Sequence, residues 1–176
     1  MTKDNLSFRI LERGDLEFAR LLHNEDETLL YLSDIEHISE PQQERWFESV
    51  SLSATARRYV VKENVSGDYV GIFRADKLDW KNQSVCVGLD IISSKRGNRY
   101  SYEIYNHFFD YFFRQCGLKR IYLATLESNE IAQKIYTKLG FKTEGRSRAG
   151  LFREGRFQDL IWMSILADEY QSDLAD

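Results

Sequence analysis

The stretch that decides the fold is Val85-Cys86-Val87-Gly88-Leu89-Asp90-Ile91-Ile92. This apolar run predicts a buried strand over residues 84–92. It breaks at Ser93-Ser94-Lys95-Arg96-Gly97-Asn98-Arg99, and the aromatic-rich residues that follow predict a helix over 100–116. A basic, glycine-containing turn between a strand and a helix is suited to holding phosphate. Unpaired backbone N–H groups of the turn and of the first helical turn point to one place, and the helix dipole adds roughly half a positive charge at the helix N-terminus.

Composition limits the class of protein. The 176 residues predict one domain over 1–176, with an acidic, frayed tail over 167–176. Apolar residues make up 43% of the chain, which is enough for a core and excludes disorder. The net charge of −4 argues against a nucleic-acid-binding surface. We expect no membrane association, since no apolar run approaches 18 residues.

The same sequence indicates a cytoplasmic protein. The N-terminus has no apolar segment typical of a signal peptide. Cys86 and Cys116 are expected to be reduced structural thiols. Three scattered histidines, with no Cys/His cluster, predict no metal site.

The remaining patterns predict an α+β fold with a mixed sheet in the order β-α-α-β-β-β-α-β-α-β-β. A meander of antiparallel strands leads into an alternating half. The predicted strands cover 6–11, 57–63, 69–75, 84–92, 119–126, 141–146 and 159–166. The predicted helices cover 16–23, about 41–52, 100–116 and 128–139, and residues 23–40 are predicted to be irregular.

Three segments resemble the GNAT family of N-acetyltransferases. Arg96-Gly97-Asn98-Arg99-Tyr100-Ser101 is similar to the family's pyrophosphate loop, Q/R-x-x-G-x-G/A. Residues 129–141 resemble the segment N-x-x-A-x-x-x-Y-x-K-x-G-F at every named position. Glu144-Gly145 and Gly155-Arg156-Phe157-Gln158-Asp159 resemble the closing hairpin of one branch. That branch contains ribosomal-protein N-terminal, spermidine and sugar-amine acetyltransferases.

The resemblance implies a mostly antiparallel central sheet that is splayed between its fourth and fifth strands. It also implies acetyl-CoA as the cosubstrate. The loop departs from the motif where Arg99 replaces the second glycine and Ser101 the final Gly/Ala. Arg99 either takes a conventional φ and adds a charge, or narrows the site. The cofactor-binding residues implied are Ile91, Ile92, Arg96, Gly97, Asn98, Arg99, Tyr100, Ser101, Asn129 and Tyr136.

The resemblance also implies a general acid at Tyr136. When an amine attacks the thioester, the CoA thiolate leaves and needs a proton, which a nearby phenol with a pKa of about 10 can supply. Some relatives use a glutamate base on the fifth strand, but Ala124 stands at that position. Asp90 is one candidate base, and Glu36 or His37 is another. Transfer of the proton to water, with no dedicated base, also stays open.

The resemblance implies that two segments recognise the acceptor amine, although a solvated charged surface stays open for each. Residues 24–52 are acidic and suit a cation, whereas residues 146–158 carry four arginines and suit an anion. Glu36, His37 and Arg148 are the predicted substrate-binding residues. A nucleotide-linked amino sugar, a protein N-terminus and a polyamine all fit as acceptors. The protein is expected to be a monomer or a homodimer. Two other hypotheses stay open: a degenerate module that binds CoA without catalysis, and an unrelated nucleotide-binding or interaction domain.

Overall fold

The computed structural model describes residues 5–170. Its strands are β1 (Leu6–Ile10), β2 (Arg57–Glu63), β3 (Tyr69–Asp79), β4 (Ser84–Ile91), β5 (Arg120–Leu126), β6 (Lys142–Arg153) and β7 (Arg156–Leu166). Its α-helices are α1 (Leu16–His23), α2 (Asp26–Leu29), α3 (Glu40–Ser51), α4 (Tyr100–Phe109) and α5 (Glu130–Lys138).

The strands form a mixed sheet in the order β1-β2-β3-β4-β5-β7-β6. The pairs β1–β2, β2–β3, β5–β7 and β6–β7 are antiparallel, and β4–β5 is parallel. The β4–β5 ladder consists of three residue pairs, from Ser84↔Arg120 to Cys86↔Tyr122. The predicted fold class, an α+β mixed sheet, is confirmed.

By its contacts the chain divides into two units. The described part of the first unit comprises residues 5–76 and 88–104. Its core is a cluster of side chains from the β1–α1 segment, α3, β2 and β3: Leu11, Leu16, Ala19, Leu22, Phe47, Val60 and Ile72. Ile92 packs against this cluster.

The described part of the second unit comprises residues 77–87 and 105–170. Its core is rich in aromatic rings. Phe109 lies against Tyr105, Phe141 and Tyr170, with ring centroids 5.3–5.8 Å apart. Five aromatic side chains over residues 105–113 are buried, as predicted for a helix that is largely covered.

Several details of the sequence prediction are wrong. The strand predicted over 69–75 continues to Asp79, and the last strand begins at Arg156 rather than at residue 159. Residues 23–40, predicted to be irregular, contain the one-turn helix α2. The helix predicted over 100–116 becomes a π-helix at Asp110–Gln115, where the Cys116 N–H donates to the Tyr111 carbonyl. The strand predicted to end at residue 146 continues to Arg153, because it pairs along β7.

The predicted frayed tail lies mostly outside the described residues, which end at Tyr170. Within the described part, Ala167–Glu169 form a 3₁₀ turn, and the Glu169 carboxylate accepts from the Leu166 N–H at 3.0 Å.

Candidate active site

The loop after β4 has the backbone that an anion site needs. A short 3₁₀ turn, Ser93–Lys95, leads into residues 96–99, and α4 begins at Tyr100. Gly97 has φ +81° and Arg99 has φ +62°. The expectation that Arg99 might keep a conventional φ is therefore wrong, because Arg99 takes the left-handed conformation that a glycine adopts without strain.

The backbone N–H groups of this loop are available to a ligand. Within residues 5–170, no backbone carbonyl accepts from the amides of Gly97, Asn98 or Arg99. The amides of Tyr100 and Ser101 belong to the first turn of α4, whose N–H groups have no partner in the helix. A Cβ at Gly97 would meet nothing within 4 Å, so the surface above the loop is open. This concentration of donors fits the pyrophosphate of CoA.

The Arg96 side chain is already engaged by the protein. Its Nη1 donates to Glu27 Oε2 at 2.6 Å, and its Nη2 donates to Thr28 Oγ1 at 2.8 Å, both on α2. Its Nε donates to the Ile91 carbonyl at 3.0 Å. Arg96 thus ties the loop to α2 and to the end of β4. The Arg96 N–H is engaged as well, since it donates to the Ser93 carbonyl at 3.2 Å, so both the guanidinium and the amide of Arg96 are used within the protein.

Ile91 and Ile92, which the resemblance implies bind the cofactor, differ in the availability of their backbone N–H groups. The Ile92 N–H donates to the Val70 carbonyl on β3 at 3.0 Å, so this donor is not available to a ligand. Because neighbouring residues of a strand direct their N–H groups to opposite sides, the Ile91 N–H points away from β3. Of the two, Ile91 is the one that can donate to a ligand. The Asn98 side chain donates to the Lys95 carbonyl at 3.3 Å and stays exposed.

A cavity of about 260 Å³ opens in the first unit beside Asp90. Its lining includes four carboxylate or guanidinium side chains, namely Asp34, Arg58, Arg74 and Asp90. Its apolar lining includes Leu22, Leu32, Ile38, Trp46 and Ile72. A cavity that combines apolar walls with a few charged groups is typical of a site for a small ligand.

The charges in this cavity are unequally matched. Arg58 pairs with Asp76 at 2.9 Å, and Arg74 Nε lies 3.1 Å from Asp90 Oδ2. Asp34, at the exposed rim, makes no ion pair with any residue from 5 to 170. Its Oδ1 accepts from the Glu36 N–H at 3.0 Å, which fixes the carboxylate. Asp34 is therefore the carboxylate of this cavity that is open to a ligand cation.

The other predicted residues of the acceptor side do not line the cavity. Glu36 and His37 have exposed side chains next to Asp34, and the Glu36 carbonyl lies 3.0 Å from His23 Nε2. Glu25 lies 3.5 Å from Arg96, and Glu27 is paired with it as well. The loop arginine therefore neutralises part of the acidic segment, and not all of its carboxylates are open to bind a cation.

In the second unit, Asn129 and Tyr136 lie on one helix. Asn129 is the N-cap of α5, and its Oδ1 accepts from the Ala132 N–H at 3.1 Å. The half-buried Tyr136 ring packs edge-on against Tyr105 and Phe141, with centroids 5.8 and 5.7 Å away. The helix thus holds the phenol in a fixed place.

Of the four arginines of the β6–β7 hairpin, one is paired, one is buried and two are exposed. Arg146 pairs with Glu127 at 2.6 Å and with Asp159 at 3.1 Å, and Arg153 is buried. Arg148 and Arg156 are exposed. An anionic end of an acceptor would therefore meet few uncommitted charges on this hairpin.

Sequence reasoning missed Arg74 and Glu63. Arg74 is the one charged residue in the apolar run Tyr69-Val70-Gly71-Ile72-Phe73-Arg74-Ala75, and such an exception in a buried strand was a signal of a paired or functional group. Glu63 ends β2 and contacts two residues of the loop region. No local pattern marks it, since its partners lie more than 30 positions away.

Over residues 5–170, no three His, Cys, Asp or Glu side chains come together in a way that could hold a metal ion. No helix in that range is long and apolar enough to span a membrane.

Comparisons with known proteins agree with the motifs. The family model for the acetyltransferase (GNAT) domain matches residues 8–162. A spermidine N(1)-acetyltransferase of Vibrio cholerae serotype O1 is 28% identical over 165 residues, which are 94% of this chain and 95% of the relative. A spermidine N(1)-acetyltransferase of Escherichia coli K12 is 24% identical over 94% of this chain and 88% of the relative.

A crystal structure of spermidine N-acetyltransferase from Vibrio cholerae, in complex with CoA and spermine, superposes with a TM-score of 0.90 at 27% identity. The superposition covers 96% of this chain and 99% of that one. Since the family model covers most of the chain, the protein belongs to the GNAT family and is an N-acetyltransferase with acetyl-CoA as its cosubstrate.

Proposed function

We propose that this enzyme transfers the acetyl group of acetyl-CoA to a primary amine of a polyamine, which binds in the cavity of the first unit. The observation that carries the proposal is Asp34, a fixed carboxylate with no ion pair within residues 5–170, at the rim of a cavity with apolar walls. A polyamine alternates ammonium groups with methylene chains. It therefore matches a carboxylate beside Leu32 and Trp46. Relatives named as spermidine acetyltransferases support the same acceptor class.

Other acceptors fit less well. A nucleotide-linked amino sugar carries phosphates, but Arg58 and Arg74 in the cavity already pair with carboxylates. On the hairpin, Arg146 is paired as well, which leaves Arg148 and Arg156 as the exposed candidates for an anionic acceptor. Glu36 is proposed to add to the negative rim beside Asp34, where it would attract a second ammonium group. His37 is proposed to accept a hydrogen bond from that group through a ring nitrogen.

For the donor, the amides of residues 97–101 are proposed to hold the pyrophosphate of CoA. The Ile91 N–H is proposed to donate along the pantetheine and to polarise the thioester carbonyl. Asn129 is proposed to act mainly by fixing the start of α5, as its cap hydrogen bond to Ala132 suggests.

The chemistry is a direct attack. The neutral amine attacks the thioester carbon, a C–N bond forms, and the C–S bond breaks. Tyr136 is proposed to donate its proton to the leaving thiolate and to regain one from solvent. Asp90 is engaged by Arg74, so we propose that it accepts a hydrogen bond from the amine while water carries away the amine proton. This assignment leaves the enzyme without a dedicated base.

An acceptor panel tests the function. Release of CoA thiol is measured with acetyl-CoA and spermidine, spermine, a nucleotide-linked amino sugar or a peptide N-terminus, and the product mass is checked. We expect turnover with the polyamines. Binding of CoA without turnover of any amine would instead support a degenerate module, and turnover of the amino sugar alone would contradict the polyamine assignment.

The substitution Asp34→Asn locates the acceptor. It should raise the KM for spermidine about tenfold, the effect of losing one charge-assisted contact, while the Kd for CoA stays unchanged. Glu48→Gln is the matched control, since Glu48 is an exposed carboxylate of the same unit that does not line the cavity.

A further inference from the structure

We propose that Glu63 is a positioning residue that holds both sides of the CoA-binding loop. Glu63 is the last residue of β2, and its side chain is about four-fifths buried, with 20% relative exposure. The loop residues with left-handed φ, Gly97 and Arg99, lie between two residues that Glu63 contacts. The inference rests on the proposed role of residues 97–101 in holding the CoA pyrophosphate.

The two contacts meet at one carboxylate oxygen. Lys95 Nζ donates to Glu63 Oε1 at 2.7 Å, and the Tyr100 hydroxyl donates to the same oxygen. Lys95 precedes the loop and Tyr100 is the first residue of α4. The carboxylate therefore spans residues 96–99 and fixes the distance between the end of the 3₁₀ turn and the start of the helix.

The second oxygen is held from outside the loop. The Ser66 hydroxyl donates to Glu63 Oε2 at 2.7 Å. Both ends of the β2–β3 turn are tied to Glu63 as well, since its N–H donates to the Asp68 carbonyl and its carbonyl accepts from the Gly67 N–H. The carboxylate is thus anchored on a hydrogen-bonded turn before it reaches the loop.

The carboxylate also stays charged. Hydrogen bonds from Lys95, Tyr100 and Ser66, in that order of effect, lower the pKa of Glu63 to about 2. The same bonds raise the pKa values of Lys95 and Tyr100. Over the pH range in which an amine is acetylated, all three groups keep the protonation states on which the contact depends.

Positioning of this kind has a specific consequence for affinity. The amides of residues 97–101 can converge on one anion only while the loop keeps its two left-handed residues and its fixed ends. Release of the ends leaves the amides present but unordered. Binding of the donor should therefore weaken, while the acceptor cavity and the chemical step are unaffected.

The test compares four single variants with the unchanged enzyme. The measurements are the Kd for CoA by calorimetry, the KM for acetyl-CoA, kcat at saturation, and the thermal midpoint. Glu63→Gln should raise the Kd for CoA and the KM for acetyl-CoA about tenfold, as expected for the loss of a charge-assisted hydrogen bond. Its kcat at saturating acetyl-CoA and its KM for the amine should be unchanged. Lys95→Met and Tyr100→Phe should each produce part of this effect.

Glu48→Gln is the matched control, because it neutralises an exposed carboxylate of the same unit that contacts no residue of the loop. It should leave the Kd for CoA unchanged. The double variant Glu63→Gln/Tyr100→Phe should bind CoA no more weakly than Glu63→Gln, because both changes break one contact.

An unchanged Kd in Glu63→Gln would overturn the proposal, and so would an equal rise in Glu48→Gln. Full additivity in the double variant would also contradict it. If Glu63→Gln does not fold, Lys95→Met and Tyr100→Phe decide the question in the same way. If the unchanged enzyme binds CoA but acetylates no polyamine, the proposed function fails while the role of Glu63 is still decided by the binding data.

Discussion

Arg74 and Asp90 form an ion pair inside the cavity, with Nε 3.1 Å from Oδ2 and Nη2 3.3 Å from Oδ1. The guanidinium lies over Gly88, where an added Cβ would come within 2.7 Å of it. A glycine at this place on β4 therefore gives the arginine room to reach the carboxylate. The pair sets the charge of the cavity next to the end of the strand that leads to the CoA loop.

Loss of the carboxylate should weaken acceptor binding more than it slows the chemistry. In Asp90→Asn, Arg74 keeps its charge while the carboxylate charge that offsets it is gone, so the cavity repels a cationic amine. We expect the KM for spermidine to rise about tenfold and kcat to fall by a smaller factor. Steady-state kinetics at several pH values would check this. A hundredfold fall in kcat with a changed acid limb of the pH profile would instead make Asp90 the general base.

Gly71 should tolerate no side chain. A Cβ there would lie 2.1 Å from the Asp90 carbonyl oxygen and 3.1 Å from the Ile91 Cα. Gly71→Ala must move the end of β4, and overpacking of this kind costs about 1–3 kcal/mol or more. Urea unfolding would measure the loss. Gly14→Ala is the control, since a Cβ at Gly14 meets nothing within 4 Å, and a loss as large in this variant would contradict the explanation.

Tyr136→Phe should lower kcat by about a hundredfold or more, which is the usual contribution of a general acid. The phenyl ring preserves the edge-on packing against Tyr105 and Phe141, so the thermal midpoint and the Kd for CoA should change little. Tyr111→Phe serves as a control on an exposed ring of the same unit. An unchanged kcat in Tyr136→Phe would remove Tyr136 from the mechanism.

Two substitutions at Arg99 remove its charge and keep its backbone conformation. Arg99→Gly and Arg99→Asn both suit a positive φ, and both remove the guanidinium. We expect each to weaken CoA binding by about threefold to tenfold, with a shallower salt dependence, as for the loss of one phosphate-directed charge. Calorimetry at two ionic strengths would measure this. Tighter binding in both variants would mean that Arg99 obstructs the site.

Asp15 should make stability depend on pH in the acid range. Burial raises the pKa of its carboxyl, but hydrogen bonds from Arg9, the Glu12 N–H and Tyr69 outweigh this effect and lower the pKa to about 2. Because the folded value lies below the unfolded value of about 3.9, the stabilisation is present above pH 4 and is lost as the pH falls toward 2.

The expected contribution of Asp15 is about 2 kcal/mol at neutral pH. The free energy of unfolding of Asp15→Asn should therefore lie below that of the unchanged protein at pH 7, and the gap should shrink between about pH 4 and pH 2. A gap that is constant over this range would show that the carboxylate charge is not the cause.

Local pattern was sufficient for the elements but not for the contacts that hold the site. The strand predicted over 57–63 and the helix start at residue 100 agree with the structure, because alternation and helical spacing are local properties. The contacts of Arg96 with Thr28 and of Glu63 with Lys95 join residues 68 and 32 positions apart. No periodicity records such pairs, since they depend on how strands and turns meet in space.

The same limit applies to the single residues of the site. A charged residue in the apolar β3 run could be noticed, whereas its pairing with Asp90 could not be read from the sequence. Ile92 was expected to bind the cofactor, but its N–H donates to Val70. An apolar pattern predicts a strand but does not predict which strand lies beside it. Motif matching reached Tyr136 through the identity of surrounding letters, and its role remains to be tested.

The left-handed Arg99 has a consequence for how such loops diverge. If a position selects for a backbone angle rather than for a small residue, a glycine there can be exchanged for a larger residue at a modest energetic cost while the path of the chain is preserved. Each exchange then adds a functional group, here a guanidinium, at a position where a glycine would serve only the backbone conformation. Loops of this kind are better compared by their sequence of dihedral angles than by their letters, and descendants that keep the angles can drift far from the written motif.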